Sequence, residues 1–502
     1  MFFSTIVLQM QMDKNQKVAV VVGSGIAGIA SAVRLACKGY KVQVFEANSY
    51  IGGKLSLLQL GDYRFDAGPS LFTMPEYVEE LFKLAGKNPT DYFEYERCAT
   101  ACHYFYNDGT FLPFYADNQK LKETVESVLN VSAEPMFEHL KRSEFIYKRT
   151  KRTFLEQSLH RFKNYISTDI LKTVVAIPKL QLFTTMHKAN ERRLNHPKLV
   201  QLFNRYATYN GSNPYKAPGI LTIIPHLEHG IGTFFPKKGM HSITTSLVKL
   251  AEELGVTFHV SSKVTEIVED GTVVKGVKVN DAFVEADVVV CNSDIKPAYK
   301  HLLKNTKAKK KTLAQEPSSS AMIFYWGIKK SFSNLDLHNI FFTDDYEAEF
   351  DALFSTKPIS SDPTVYVHIS SKYVKADAPE GKENWFVMVN VPSNAGQDWE
   401  SIRTTIRQDV IEKLSKALNE DIESLIEVED YLDPIRIEQR TSSFAGALYG
   451  ASSNDRMAAF FRHPNFSKVR GLYFVGGSVH PGGGIPLCLL SAKIACSEIK
   501  QA

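Results

Sequence analysis

At 502 residues with 44% hydrophobic side chains, the chain has the length of about three average domains or one composite enzyme, enough to bury a sizeable core. A net charge of only +4 gives no ground for a nucleic-acid partner. The six cysteines form no CxxC pair and several sit in apolar runs, which points to reduced core thiols in a cytosolic protein and away from a metal site.

The apolar N-terminal stretch Met1 to Leu8 is short and lacks both a basic region before it and a small-residue cleavage site after it, so no signal peptide is expected. No later stretch reaches the roughly 18 uninterrupted apolar residues of a spanning helix. The first structured unit is expected at Val18-Ala19-Val20-Val21-Val22, a strand that runs into Gly23-Ser24-Gly25-Ile26-Ala27-Gly28. There Gly23 permits the tight turn, Gly25 lets a pyrophosphate approach the backbone, and Gly28 allows close packing of the following helix, whose N-terminus favours phosphate charge. A second strand ends at Glu46, 18 residues beyond Gly28, near the spacing of a carboxylate that accepts both hydroxyls of a ribose. Strand, turn, helix, strand and acid in this order read as a nucleotide-binding βαβ unit.

Residues 75–225 read mainly as helices, with a small strand region at 104–114 folded about the hairpin signal Asn107-Asp108-Gly109. The apolar stretch at 223–224 reads as a strand leading to Glu228. From Gly232 the nucleotide fold resumes: a helix over 242–254 carrying Leu247, Leu250 and Leu254, capped by Gly255, then strands at 256–260, 262–267 and 286–291. Between 292 and 431 the pattern is mixed, with strands at 321–326 and 385–391 and an amphipathic helix at 399–418. The last segment, 469–499, returns to the nucleotide fold with a strand at 472–475 and a helix from Pro486. No internal repeat or Gly/Ser linker divides the chain.

Further motifs choose the cofactor. Glu46 is followed by Gly52-Gly53-Lys54, by Tyr63-Arg64-Phe65-Asp66-Ala67-Gly68-Pro69-Ser70, by Arg205-Tyr206-Ala207-Thr208-Tyr209-Asn210-Gly211, by Phe235-Pro236-Lys237-Lys238-Gly239-Met240, and by Phe474-Val475-Gly476-Gly477-Ser478 with Gly482-Gly483-Gly484-Ile485-Pro486. With these motifs in order over nearly its whole length, the chain resembles the FAD-containing amine-oxidase-like superfamily, and within it the bacterial carotenoid desaturases of the phytoene-desaturase type. The resemblance implies an α/β fold: a Rossmann-like FAD-binding domain built from discontinuous segments (1–74, 226–298 and 436–502), a mixed-sheet substrate domain (299–435), and a helical lid, membrane-facing and substrate region (75–225). It implies FAD contacts at Gly23, Gly25, Ile26, Ala27, Gly28, Glu46, Ala47, Gly52, Gly53, Lys54, Ser70, Val264, Gly477, Ser478 and Ile485. The turn at Gly476–Ser478 lacks the acid that many relatives carry, so the Ser478 hydroxyl, backbone N–H groups and the positive end of the helix from Pro486 are expected to serve the flavin.

Removing two hydrogens from adjacent saturated carbons needs a hydride acceptor that no side chain supplies, hence the flavin. The protein then adds an apolar slot and a group for the second proton. Two candidates for that group are Glu228, expected in apolar surroundings where a carboxylate makes a competent base, and His480, in the glycine-rich turn. Lys54 in place of the Arg common in phytoene desaturases, together with the Arg205–Tyr209 motif, resembles the branch that desaturates 1-hydroxycarotenoids at the 3,4 bond; Tyr206, Tyr209 or Asn210 would meet the substrate hydroxyl. Phytoene desaturation, a flavin amine or porphyrinogen oxidase, and a non-enzymatic prenyl-binding regulator of the GDP-dissociation-inhibitor type are the alternatives, as is the choice between oxygen and a quinone as electron acceptor. Between residues 141 and 198 fourteen Lys/Arg face four Asp/Glu, interleaved with Ile146, Phe162, Tyr165, Ile166, Leu171, Val174, Val175, Leu180 and Phe183. For a substrate soluble only in lipid, that segment implies peripheral docking on the inner face of a bacterial membrane.

Overall fold

The computed structural model describes residues 16–161, 168–355, 357–455 and 462–502, with backbone alone at 168, 169, 171 and 172. Val18–Val22 is the middle of a five-stranded, all-parallel sheet in the order Leu472–Phe474, Val288–Cys291, Val18–Val22, Lys41–Phe45, Thr257–His259. Helices cover both faces of such a sheet, which is why the central strands are unbroken β-branched runs rather than alternating ones. Val20 pairs with Val289 on one side and Gln43 on the other. The helix Ile26–Ala36 follows the first strand at once, and it can lie so close because residue 28 is glycine: a Cβ there would stand 2.2 Å from the Gly23 carbonyl oxygen. The expected strands at 18–22, 256–260, 286–291 and 472–475 all fall in this one sheet, although they lie hundreds of residues apart.

The second large sheet has seven strands in the order Ile426–Leu432, Ser320–Ile328, Glu383–Val391, Val365–Ile369, His338–Phe341, Thr100–Phe105, Phe111–Tyr115. Neighbours run antiparallel except His338–Phe341 beside Thr100–Phe105. Its period-2 pattern separates two faces. Met322, Phe324, Trp326, Val365, Val367, Trp385 and Val387 point into a core closed by Trp399, Ile406, Val410 and Leu414 of the helix Trp399–Leu418. That helix matches the expected bounds because both ends are specified: Asp398 accepts from the Ser401 N–H, and Asn419 takes the left-handed conformation at φ 54°. The intervening residues Ile323, Phe386, Met388, Tyr366, His338 and Ile340 face the other way and line a cavity.

The hairpin expected about Asn107-Asp108-Gly109 is present and extends the seven-stranded sheet. One expectation is corrected. The apolar stretch before Glu228 is not a strand: a 3₁₀ turn, Gly219–Ile223, leads into a π-helical turn, His226–Ile231. A short apolar run carries no period of its own, and the prolines at 218 and 225 favour helical starts.

One buried carboxylate makes stability pH-dependent. Glu349, on the helix Tyr346–Leu353, accepts from the Thr364 N–H at 2.9 Å and its hydroxyl at 2.7 Å. Burial pushes its carboxyl up to about 7, against the pull of Thr364 and Lys413. The folded protein therefore holds a proton that the unfolded chain releases at about pH 4.3, so this contribution is fully present below that value and is lost as pH rises through 7. Glu349→Gln keeps the shape without the charge, and we expect it to raise unfolding free energy by about 3 kcal/mol near pH 8 and to leave it unchanged near pH 4. Denaturant unfolding of both proteins at the two pH values checks this; equal curves near pH 8 would contradict it.

Candidate active site

Ligands of open parallel sheets bind outside the carboxyl ends of the strands. Here those ends deliver Gly23 and Gly25 after the first strand, Glu46 after Lys41–Phe45, Asn292 after Val288–Cys291, and Gly476 and Gly477 after Leu472–Phe474 to one cavity of about 880 Å³. Ile26, Ala27, Ala47, Gly52, Gly53, Lys54, Ser70, Val264, Ser478 and Ile485 line the same cavity, whereas Gly28 lies behind it in the helix–strand contact. Sites foreseen from five separate stretches are thus brought together. Gly25 and Gly52 form a bridge, and a Cβ on Gly25 would stand 2.8 Å from the Asn292 amide nitrogen. No side chain caps either helix that points into this space, Ile26–Ala36 or Ile485–Ser497.

Glu46 is held before any ligand arrives. One of its oxygens accepts from the Ser24 N–H (2.8 Å) and hydroxyl (2.7 Å), the other from the Asn48 N–H (2.9 Å) and side-chain amide (3.0 Å). Four donors fix the carboxylate plane and occupy its four lone-pair sites, so a ribose hydroxyl would take the place of the Ser24 hydroxyl or the Asn48 amide. Lys54 donates to the carbonyls of Leu448 (2.8 Å) and Ala447 (3.2 Å). Burial lowers its pKa, while the nearby Asp294 pulls it back up. The Ser478 hydroxyl accepts from the Ile295 N–H at 2.9 Å, so it braces the turn as well as facing the cavity.

The two expected proton acceptors are not placed as the sequence suggested. Glu228 lines the cavity, yet its surroundings are polar: Arg205 donates to it at 2.9 Å, Tyr206 at 2.9 Å, and Tyr209 through a short hydrogen bond. Arg205 also donates to Tyr104 at 2.5 Å and Tyr209 at 2.8 Å. A carboxylate so fully engaged is not the free acceptor in an apolar slot that was expected. His480 is 1% exposed and does not line the cavity; its Nε2 meets the Gln157 carbonyl at 2.9 Å, and burial lowers it to about 4. Of the residues expected to meet substrate, Tyr206 lies behind the wall, while Tyr209 and Asn210 line it. The Asn210 amide is already committed to Ser453 (2.7 Å) and Arg462 (2.9 Å).

The Arg205–Glu228 pair carries a stability prediction. Both side chains are nearly inaccessible, at 6% and 1%. Removing the carboxylate leaves a buried guanidinium without its counter-charge, so Glu228→Ala is expected to cost about 3–5 kcal/mol in unfolding free energy. The double variant Arg205→Met/Glu228→Leu should cost less than Glu228→Ala alone, and denaturant melts of the three proteins test the ordering.

Some cavity residues were not singled out from the sequence. Asn292 and Asp294 could have been found from their place after a parallel strand, and Arg205 stood inside a quoted motif. His338 and Tyr366 had no local signal, since only the sheet register turns them toward the cavity.

The sequence model of the flavin-containing amine oxidoreductases matches residues 26–500. A 1-hydroxycarotenoid 3,4-desaturase of Flavobacterium sp. (strain P99-3) is 51% identical over 96% of this chain and 99% of that protein. A 4,4'-diapolycopene oxygenase of Methylomonas sp. is 31% identical, covering 98% and 99%. Among solved structures, cyclohexylamine oxidase from Brevibacterium oxydans superposes with a TM-score of 0.60 at 15% identity over 96% and 98% of the two chains, a likeness of fold. Sheet order, glycine cradle and full-length match agree: the chain belongs to the flavin-containing amine oxidoreductases and is an FAD-dependent oxidoreductase.

Proposed function

We propose that the protein is a carotenoid desaturase that introduces a C=C bond at the 3,4 position of a 1-hydroxycarotenoid. The observation that carries this reading is the continuity of the cavity: the glycine cradle opens directly onto the apolar sheet face of Ile323, Phe386, Met388 and Ile340, a slot suited to a long hydrocarbon. The 51% identity to a protein of that activity supports the same choice. FAD suits the cradle because glycines leave backbone open where a Cβ would intrude, two uncapped helix ends offer N–H groups to phosphate, and Glu46 is fixed beside the first of them. In this reading segments 1–74, 226–298 and 436–502 hold the cofactor, and 299–435 supplies most of the substrate sheet. Bound FAD supplies the two-electron acceptor for a hydride. The chain's own part is to align one C–C bond in the slot, exclude water with the apolar face, and hold the substrate hydroxyl. For that last task the Arg205, Tyr209 and Glu228 cluster is the anchor, and the Arg205 Nε, buried with no partner among the described residues, is the free donor.

The substrate's solubility extends the proposal to a membrane surface. No helix among the described residues is long and apolar enough to cross a membrane. In the basic segment Ile146 and Leu180 belong to a buried cluster, whereas Val174, Val175 and Phe183 are exposed; Phe162, Tyr165 and Ile166 and the Leu171 side chain lie outside the described residues. Thr150, Phe154 and Leu155 of the same segment line the cavity, so a docked segment would join the slot to lipid.

A panel of acyclic carotenoids in liposomes, with and without a 1-hydroxyl, tests the substrate choice by product spectra. The reading requires that the hydroxylated member gain one double bond at the 3,4 position; turnover of phytoene alone would replace it with phytoene desaturation.

A further inference from the structure

Three polar groups stand in a row on the cavity face that also carries Ile323, Ile340, Phe386 and Met388. The Tyr366 hydroxyl lies 2.7 Å from His338 Nδ1 and 2.8 Å from the Ser70 hydroxyl, and all three residues line the cavity. Tyr366 comes from the strand Val365–Ile369 and His338 from His338–Phe341, where the antiparallel register sets Tyr366 opposite Ile340 and so diagonal to His338. Ser70 reaches them from the loop that packs on the glycine cradle: a Cβ on Gly68, two residues earlier, would stand 1.9 Å from the Lys54 carbonyl oxygen. The row therefore runs from the cofactor side of the cavity to the substrate sheet. His338 is 3% exposed, and its Nε2 has no partner among the described residues. Burying such groups in an apolar wall is costly, and Phe or Leu would fill the sheet without that cost.

We propose that Tyr366 receives the proton that the carotenoid loses in desaturation, with His338 as the base behind it and Ser70 fixing the phenol. This rests on the reading of the protein as a 1-hydroxycarotenoid 3,4-desaturase. Bound FAD would supply the acceptor for the hydrogen and electron pair of carbon 4, and the substrate would then carry a cation delocalised along the polyene. The C–H bond at carbon 3 then breaks, and its electron pair becomes the second bond between carbons 3 and 4. The proton passes to the phenol oxygen of Tyr366 as the phenol's own proton moves to His338 Nδ1; the Ser70 hydroxyl occupies the other lone pair. Tyr366 is the catalytic contact, and His338 and Ser70 are positioning residues.

The charges around the row agree with these roles. Burial holds His338 well below the ordinary histidine range, with His368 and Arg205 adding to the effect, so the ring is neutral, and the role proposed for it is that of the tautomer with hydrogen on Nε2, in which Nδ1 accepts from Tyr366. Burial pushes Tyr366 up, so the phenol keeps its proton until the base takes it. A C–H bond beside a polyene cation is strongly acidic, and a weak base matched to it suffices. Position agrees as well. One carbon separates the hydroxyl-bearing carbon 1 from carbon 3, so the hydroxyl anchor and the proton acceptor must lie on one part of the sheet; Arg205 donates to Tyr104, which pairs with Ile340, which in turn pairs with Tyr366.

The test uses FAD-loaded wild type, Tyr366→Phe and His338→Gln in anaerobic single turnover with a 1-hydroxycarotenoid carrying deuterium at carbon 3 or at carbon 4. Both variants should keep stoichiometric FAD and wild-type binding of substrate, and slow by about 10²-fold. In both, the isotope effect from carbon 3 should rise while that from carbon 4 falls toward unity, a change that loss of packing alone does not produce. Wild-type rates in both variants, or slowing with the carbon 4 effect unchanged, would overturn the proposal. If His338→Gln loses FAD, Tyr366→Phe, which removes one oxygen and keeps the ring, decides; loss of FAD there too would assign the row to holding cofactor. Failure of wild type to oxidise any carotenoid would instead defeat the functional reading itself.

Discussion

Gly25→Val should emerge from desalting colourless, with less than about a tenth of the FAD of wild type. The backbone gives no reason for glycine at this position: φ is −63° and ψ 167°, a conformation open to any residue. The reason is space. A Cβ would stand 2.8 Å from the Asn292 amide nitrogen, and the two methyl groups of valine would extend into the cavity beside Gly52, where the pyrophosphate is proposed to lie against the helix Ile26–Ala36. Excluding the diphosphate forfeits both helix ends and the ribose contact at Glu46 together, so the effect is close to all or none. Circular dichroism should remain that of the wild-type apoprotein, because residue 25 lies at the rim of the sheet. Stoichiometric yellow cofactor in the variant would move the diphosphate elsewhere.

Liposome binding carries the second large effect. Four replacements, Val175→Ser, Phe183→Ser, Lys148→Gln and Arg149→Gln, should weaken co-sedimentation with anionic liposomes more than a hundredfold at low salt. Val175 and Phe183 are 74% and 78% exposed, large apolar groups left uncovered by the described residues. Burying such a side chain in the lipid interface is worth roughly 1.5–3 kcal/mol, and each basic residue at an anionic surface adds about 1 kcal/mol. Lys148 is two-thirds exposed. It pairs with Glu144 one turn away yet stays accessible, whereas Lys151, 31% exposed and lying over the Tyr77 and Tyr147 rings, is a poorer candidate. High salt should reduce the difference due to the charges and keep that due to Val175 and Phe183. Equal sedimentation of wild type and variant at low salt would make this an ordinary solvated helical face.

The cofactor half of the fold was legible because its chemistry is local. Gly23 to Gly28, Glu46 and Gly52-Gly53 each announce a turn, a close approach or a charge within a few residues, and the two central parallel strands, Val18–Val22 and Val288–Cys291, are short valine-rich runs. The substrate half was legible as elements but not as a site. Residues 321–326, 385–391 and 399–418 showed their periods, yet which face of each strand meets the cavity depends on register with strands far away in sequence, such as Thr100–Phe105. Glu228 shows the same limit. It follows the apolar pair Ile223-Ile224 in sequence, while its neighbours in space, Arg205, Tyr206 and Tyr209, lie about twenty residues away and reach it only because the segment coils instead of extending. His480 looked catalytic by company with glycines, but its ring is buried against the Gln157 carbonyl and does not line the cavity.

The central claim is that this chain's bound FAD oxidises a carotenoid. Anaerobic addition of a 1-hydroxycarotenoid in anionic liposomes to the purified holoenzyme tests it most directly, with the flavin and polyene spectra recorded together. The account predicts that the visible flavin band bleaches in step with a red shift of the polyene, one double bond formed per FAD reduced. An unbleached flavin and an unshifted polyene, in a sample whose flavin is still reduced by dithionite, would contradict it.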